Sequence, residues 1–192
     1  TKVCANTTGC LMMIDLDSFK PVNDIYGHDM GDKVLLGFAK IIQGAVPEGS
    51  TCGRLGGDEF IAFAKGVTSE SIVASITSKL NDEVVAMAKE LMGEDMDIPL
   101  GASIGAIYVP RHGNDFNTLF KLADKALYTV KKNGKHGYSL YSAESFDDED
   151  SGDSLPDIAA ISGILGERTI PDVALQLDKD SFSPGYRYVI SY

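Results

Sequence analysis

The sequence predicts an α+β fold: one ferredoxin-like β-α-β-β-α-β sheet with helices packed on one side of it. Three observations carry this prediction. Strand-like and helix-like patterns alternate between residues 9 and 141. The run over residues 9–15 is apolar and ends in acids, as a buried strand does where its C-terminal end meets solvent. Gly56-Gly57 separates a short run, residues 52–55, from an apolar one, residues 60–64. That reads as a tight hairpin, because the favoured two-residue turns need φ > 0 and glycine reaches it without steric cost.

Each further element has its own periodicity. Residues 29–46 carry Val34, Leu35, Phe38, Ile41 and Ile42 in a helical stripe. Residues 52–55 and 59–65 form the two arms of the hairpin. Residues 69–92 are a long helix with Ile72, Ile76, Leu80, Val84, Met87 and Leu91 on one face. Residues 99–109 alternate like a strand. Residues 115–132 are a helix with Phe116, Leu119, Phe120, Ala123 and Leu127 inward, and residues 137–141 are a last short strand. The complete order is β-α-β-β-α-β-α-β.

Composition sets the domain organisation. A chain of 192 residues with 44% hydrophobic residues holds one domain with an appendage. The net charge of −11 is uneven: residues 143–192 hold 11 of the 28 acids and 3 of the 17 bases. The expected division is a domain over 1–142, an acidic self-repelling linker over 143–155 and an extension over 156–192. Clustered bases are missing, which argues against a nucleic-acid surface. No apolar stretch approaches the roughly 18 residues of a membrane span. Thr1 begins the chain with nothing like a signal peptide, so a piece of a longer protein is expected. Cys4, Cys10 and Cys52 are odd in number and lack metal-ligand spacing, which predicts reduced thiols and a cytoplasmic location.

The acids suggest chemistry. Alternation puts Asp15 and Asp17 on one side of the first strand and Leu16 on the other. If that strand lies beside the hairpin, Asp15 and Asp58 converge. Two carboxylates at a sheet edge repel unless neutralised, and hard divalent cations with oxygen ligands, sharing their shell with phosphates, would do so. The plain alternative is helix capping, which is expected as a partial role of Asp17. Asn23 and Asp32 flank Tyr26-Gly27-His28. An amide and a carboxylate suit guanine, whose N1–H and amine both donate; read alone, they are a helix-end residue and a first-turn acid. His28 reads as structural. Lys131, Lys132 and Lys135 form a basic helix end or, functionally, a phosphate clamp.

Taken together, the phrases IDLDSFKPVNDIYGHDMGD, RLGGDEF, SIGAIYVP and ADKALYTVKKNGKHG, in this order and spacing, resemble the GGDEF domains, the diguanylate cyclases, over residues 9–142. The resemblance implies a palm-like fold related to class III nucleotide cyclases. It implies condensation of two GTP into cyclic di-GMP and two pyrophosphates by a homodimer, with two Mg²⁺ (or Mn²⁺) per active site. It also implies an N-terminal sensory or receiver domain in the full-length protein. Asp15 and Asp58 match the metal carboxylates, with the Leu16 carbonyl as a further ligand, and Glu59 matches the second acid of the signature. Asn23 and Asp32 match the guanine readers. Ser18 and Phe19 would offer backbone N–H groups to phosphates, with Lys20 nearby. Lys131 matches the phosphate lysine, Lys135 stands where many members have arginine, and Gly56 and Gly57 let backbone and nucleotide approach.

Three features depart from the pattern. The inhibitory product motif RxxD is replaced by Pro47-Glu48-Gly49-Ser50, so feedback inhibition by that route is expected to be absent. The family's opening DxLTxLxNR turn and helix do not precede the first strand. The extension lies outside the resemblance, but residues 177–184 echo residues 14–21, with Asp, Asp, Ser, Phe and Pro at the same spacing. That suggests a truncated, degenerate second copy, with a helix over 158–165 and a strand over 173–177 packed against the first domain. The competing function is a weak or inactive GTP- or cyclic-di-GMP-binding regulatory module.

Overall fold

The computed structural model describes residues 8–113, 115–142 and the strand 189–191. Its order is β1 (Gly9–Asp17), α1 (Phe19–Tyr26), α2 (His28–Ala45), β2 (Thr51–Gly56), β3 (Glu59–Lys65), α3 (Glu70–Met92), β4 (Gly101–Val109), α4 (Phe116–Lys132), β5 (Tyr138–Leu140) and β6 (Val189–Ser191). Among the described residues, six strands lie in the order β5-β4-β1-β3-β2-β6. Only β4 and β5 run parallel; the other neighbours are antiparallel.

The helices lie on both faces of the sheet, which corrects the expectation of one covered side. Alternate residues of β1 enter two separate cores. Cys10, Met12, Ile14 and Leu16 pack with Val34 and Phe38 of α2 and with Val73, Leu80 and Val84 of α3. Leu11 and Met13 pack with Phe116, Leu119, Phe120 and Ala123 of α4. The physical reason is visible in the composition of β1: every residue from Gly9 to Asp17 is buried, and a central strand buried on both faces is apolar through most of its length.

Three boundaries differ in ways that matter for the site. β1 continues to Asp17, two residues beyond the expected end. The first helical region is two helices, α1 and α2, broken at Gly27, which has φ 84°. The hairpin closes with Gly56 paired to Glu59, so the two turn residues are Gly57 and Asp58 rather than the two glycines. Gly57 supplies the positive φ, 53°. Cys10 and Cys52 are buried free thiols whose pKa values burial pushes up to about 12, consistent with inert core packing.

Part of the extension meets the domain, but not where the echo pointed. Residues 189–191 pair antiparallel with β2, Thr51 opposite Ser191 and Gly53 opposite Val189. The expected helix over 158–165 and strand over 173–177 lie outside the described residues.

Candidate functional site

The sheet register assembles the acids. Asp15 stands opposite Glu59 on β3 and opposite Ser103 on β4. Directly paired residues share a face, so Glu59, Asp15 and Ser103 form a row on the side covered by α4. Lys131, in the last turn of α4, reaches this row with its Nζ 2.7 Å from Asp15 Oδ2. Asp58 sits at the turn beside it, and its carbonyl accepts the Leu16 N–H at 3.0 Å. That bond ties the tip of the hairpin to the end of β1.

The electrostatics are those of crowded, half-buried carboxylates. Burial pushes the Asp15 pKa up; Lys131 pulls it down, and the charges of Asp58 and Asp17 push it up again. Burial also raises Glu59, opposed by Lys131 and reinforced by Asp15, Asp58 and Asp124. For Lys131, burial acts downward, but the hydrogen bond to Asp15 and the charges of Asp15, Glu59 and Asp58 outweigh it, so its net shift is up. One lysine thus balances part of the negative charge and leaves an excess.

That excess, with only oxygen donors, suits a hard divalent cation. The donors expected from the sequence are the Asp15 and Asp58 carboxylates and the Leu16 carbonyl. Among the described residues, no group of three or more His, Cys, Asp or Glu side chains is arranged to hold a metal ion. A set with two carboxylates fits an ion that completes its shell with phosphate and water, and does not fit a closed structural metal cage.

Beside the acids lies the start of α1. Ser18 adopts the left-handed conformation (φ 60°, ψ 27°) and α1 begins at Phe19, which is buried. The first turn of α1 carries exposed Lys20 and no acid, leaving the helix N-terminus attractive to an anion. Asp17 does not cap this helix, correcting the sequence expectation. Because β1 extends through it, its side chain stays in the strand alternation and points inward, where Oδ2 accepts from Ser103 Oγ at 2.6 Å.

Asn23 reaches across the α1–α2 corner to Gly31 of α2, the neighbour of Asp32 in the chain. Gly31 is buried, and a Cβ there would overlap Asn23 Oδ1. The missing side chain is what lets the carboxamide lie over the first turn of α2. Lys135 is exposed in the loop after α4, with φ 67°. His28 is exposed at the start of α2 and joins no cluster among the described residues. Ser50, in the altered product-site stretch, serves the fold, since its Oγ accepts the Lys65 N–H at 3.0 Å.

Sequence reasoning missed Asp124, Ser103 and Gly31. Asp124 had a readable signal, since it lies two helical turns before Lys131 and so on the same face of α4. Burial raises its pKa, and Lys131 opposes the shift. Ser103 and Gly31 lie inside the quoted phrases SIGAIYVP and IDLDSFKPVNDIYGHDMGD, but their roles depend on strand register and helix packing, which a single sequence does not display.

Comparison with known proteins covers the same stretch of the chain. The family model described as "Diguanylate cyclase, GGDEF domain" matches residues 2–137. Diguanylate cyclase A of Treponema denticola is 35% identical over 130 residues, covering 68% of this chain and 34% of that protein. An uncharacterized signaling protein of Caulobacter vibrioides is 33% identical, over 71% of this chain and 17% of its own length. The cyclic di-GMP phosphodiesterase PdeR of Escherichia coli is 30% identical, over 70% and 20%. This chain therefore spans about a third or less of these relatives. Among solved structures, the active GGEEF domain of a Vibrio cholerae diguanylate cyclase superposes with a TM-score of 0.60 at 28% identity, covering 71% of this chain and 84% of that one. The GGDEF domain of DgcB from Caulobacter crescentus, solved with c-di-GMP, gives 0.60 at 28%, covering 70% and 78%.

Proposed function

This chain belongs to the GGDEF domain family of diguanylate cyclases, and we propose that it condenses two GTP into cyclic di-GMP with release of two pyrophosphates. The observation that carries this reading is the convergence of Asp15, Asp58 and Glu59 under Lys131, beside the open N-terminus of α1. Divalent cations, Mg²⁺ or Mn²⁺, would be held by Asp15, Asp58 and the Leu16 carbonyl, and when bound they supply charge that offsets the phosphates and eases loss of the 3′-hydroxyl proton.

The chain's own groups divide the remaining work. Asn23 and Asp32 bind the guanine edge, with the Asp32 carboxylate accepting from N1–H and the amine. The N–H groups of Ser18 and Phe19 hold the terminal phosphates, assisted by Lys20, Lys131 and Lys135. Gly56 and Gly57 bring backbone against the nucleotide. Glu59, its pKa raised, stands next to Asp15 as an acceptor for the departing proton. In each half-reaction the 3′-oxygen of one GTP bonds to the α-phosphorus of the other, the bond to pyrophosphate breaks, and the hydroxyl proton is lost. One domain binds one GTP, so two domains must face each other.

Pyrophosphate release from GTP with Mg²⁺, measured over a range of protein concentrations, tests the proposal. A rate per chain that climbs with concentration is expected; GTP binding without release in the dimerised protein would refute it. That second outcome would identify a binding module, a reading favoured by one observation, the likeness to a relative named a phosphodiesterase. In either case no described helix is long and apolar enough to cross a membrane. The proposed setting is a bacterial signalling protein with a cytoplasmic GGDEF domain.

Base choice supplies two predictions. Asp32→Ala should reduce the preference for GTP over ATP by roughly 10-fold or more, since a paired base contact is worth about 1–3 kcal/mol. An unchanged preference in competition binding would exclude Asp32 as the reader. Gly31→Ala should raise the GTP KM about fivefold, the loss of about one hydrogen bond, by pushing the Asn23 carboxamide aside. A KM equal to wild type would show that Asn23 does not touch the base.

A further inference from the structure

The loop between α4 and β5 presents Lys135, and its backbone is unusual. Lys135 (φ 67°) and His136 (φ 52°) are consecutive left-handed residues, neither of them glycine. Such a pair persists only where its surroundings hold it. Two backbone bonds contribute: the Lys135 N–H donates to the Val130 carbonyl at 3.0 Å, and the Ile104 N–H donates to the Gly137 carbonyl at 2.8 Å. The third hold is a side chain from the far end of β1. The His136 N–H donates to Asp17 Oδ2 at 3.2 Å, and His136 Nε2 lies 3.9 Å from the same oxygen. The imidazole rests on Gly101, where a Cβ would come 2.5–2.8 Å from ring atoms.

Asp17 is an improbable residue for packing alone. Its side chain is 0% exposed, and its Oδ1 has no hydrogen-bond partner among the described residues. Burying a carboxylate with one oxygen unpartnered is unfavourable, and an apolar residue would fill the same space. What Asp17 does that an apolar residue cannot is hold three segments at one point: β4 through Ser103 Oγ at 2.6 Å, the α4–β5 loop through His136, and β1 itself. The next residues along the chain are Ser18 and Phe19, whose N–H groups open α1.

We propose that Asp17, oriented by Ser103, is a positioning residue for phosphate binding: it clamps the α4–β5 loop to the end of β1, so that Lys135 and the Ser18–Phe19 backbone address one triphosphate. This rests on the reading of Lys135 as a phosphate lysine. Asp17 itself need not touch nucleotide; it acts through the loop.

A double-mutant cycle tests the idea, read by calorimetric titration of the 192-residue chain with a non-hydrolysable GTP analogue and Mg²⁺. Asp17→Ala and Lys135→Ala should each weaken binding by a similar factor, roughly 10-fold for loss of a charge-assisted contact. The double variant should bind no more weakly than the weaker single one, and guanosine, which lacks phosphates, should bind all folded variants equally. Multiplying losses, a wild-type affinity in Asp17→Ala, or a parallel loss of guanosine binding would overturn the inference. Wild-type affinity in Lys135→Ala would instead overturn the reading of Lys135, and this inference with it. Ser103→Ala, which removes one oxygen from the core, enters the same cycle with the same expectations if Asp17→Ala does not fold.

Discussion

Asp58→Asn should lower pyrophosphate release by at least about 1000-fold, the upper range for removing a single charge-stabilising group from a reaction centre, while the protein stays folded. The two halves of this expectation have separate structural causes. The fold uses the Asp58 backbone, whose carbonyl accepts the Leu16 N–H, and the substitution leaves that bond in place. The side chain is half-buried at the turn, where its charge works against Asp15 and Glu59 and raises both their pKa values. Asparagine is nearly the same size, removes that repulsion and removes one anionic donor. Thermal unfolding should therefore show a midpoint no lower than wild type, while metal-dependent turnover disappears. Activity near the wild-type level would exclude Asp58 as a metal carboxylate. A large fall in the midpoint would show that the acid serves the hairpin rather than the reaction.

Whether a feature can be read from the sequence depends on whether it is local or set by register. The strand over residues 9–15, the hairpin and the long helices are legible because their patterns span few residues, and they recur as β1, β2–β3, α2, α3 and α4. The convergence of Asp15 with the signature acids is legible once the first strand is placed beside the hairpin. The two-sided cover departs from the sequence expectation, although β1 carries the signal: an uninterrupted apolar run points to helices on both faces. The role of Asp17 departs from it because that role hinges on where β1 stops, and a shift of two residues turns an expected cap into a buried clamp. Ser103 opens the phrase SIGAIYVP, but nothing in that phrase marks its role. Its meaning comes from standing opposite Asp15, on a strand far away in the chain, a relation that only the sheet register creates.

Gly105→Ala should destabilise the domain more than any other single-methyl addition to the site's scaffold, by about 3 kcal/mol, the upper range for overpacking a well-filled core. Gly105 lies on the face of β4 turned toward α4, and a Cβ there would overlap the Ala123 carbonyl oxygen and the Leu127 amide nitrogen, with Leu127 Cα at 2.8 Å. All three are backbone atoms of α4, so no rotamer change relieves the clash. The helix must lift from the sheet, and the Phe116, Leu119, Phe120 and Leu127 contacts with Leu11, Met13 and Ile107 loosen with it. At the far end of the same helix Lys131 would move away from Asp15, now 2.7 Å from it. The consequence is a paired loss: an unfolding midpoint lower by roughly 10 °C for a domain of this size, and weaker analogue binding at temperatures where the variant is still folded. The comparison variant is Gly37→Ala, at the α2–α3 contact, where the added Cβ meets the Met87 side chain, which is free to rearrange. It should cost less stability and leave nucleotide binding unchanged. Equal destabilisation by the two variants would show that the closeness of α4 to β4 is not what holds Lys131 over the acids.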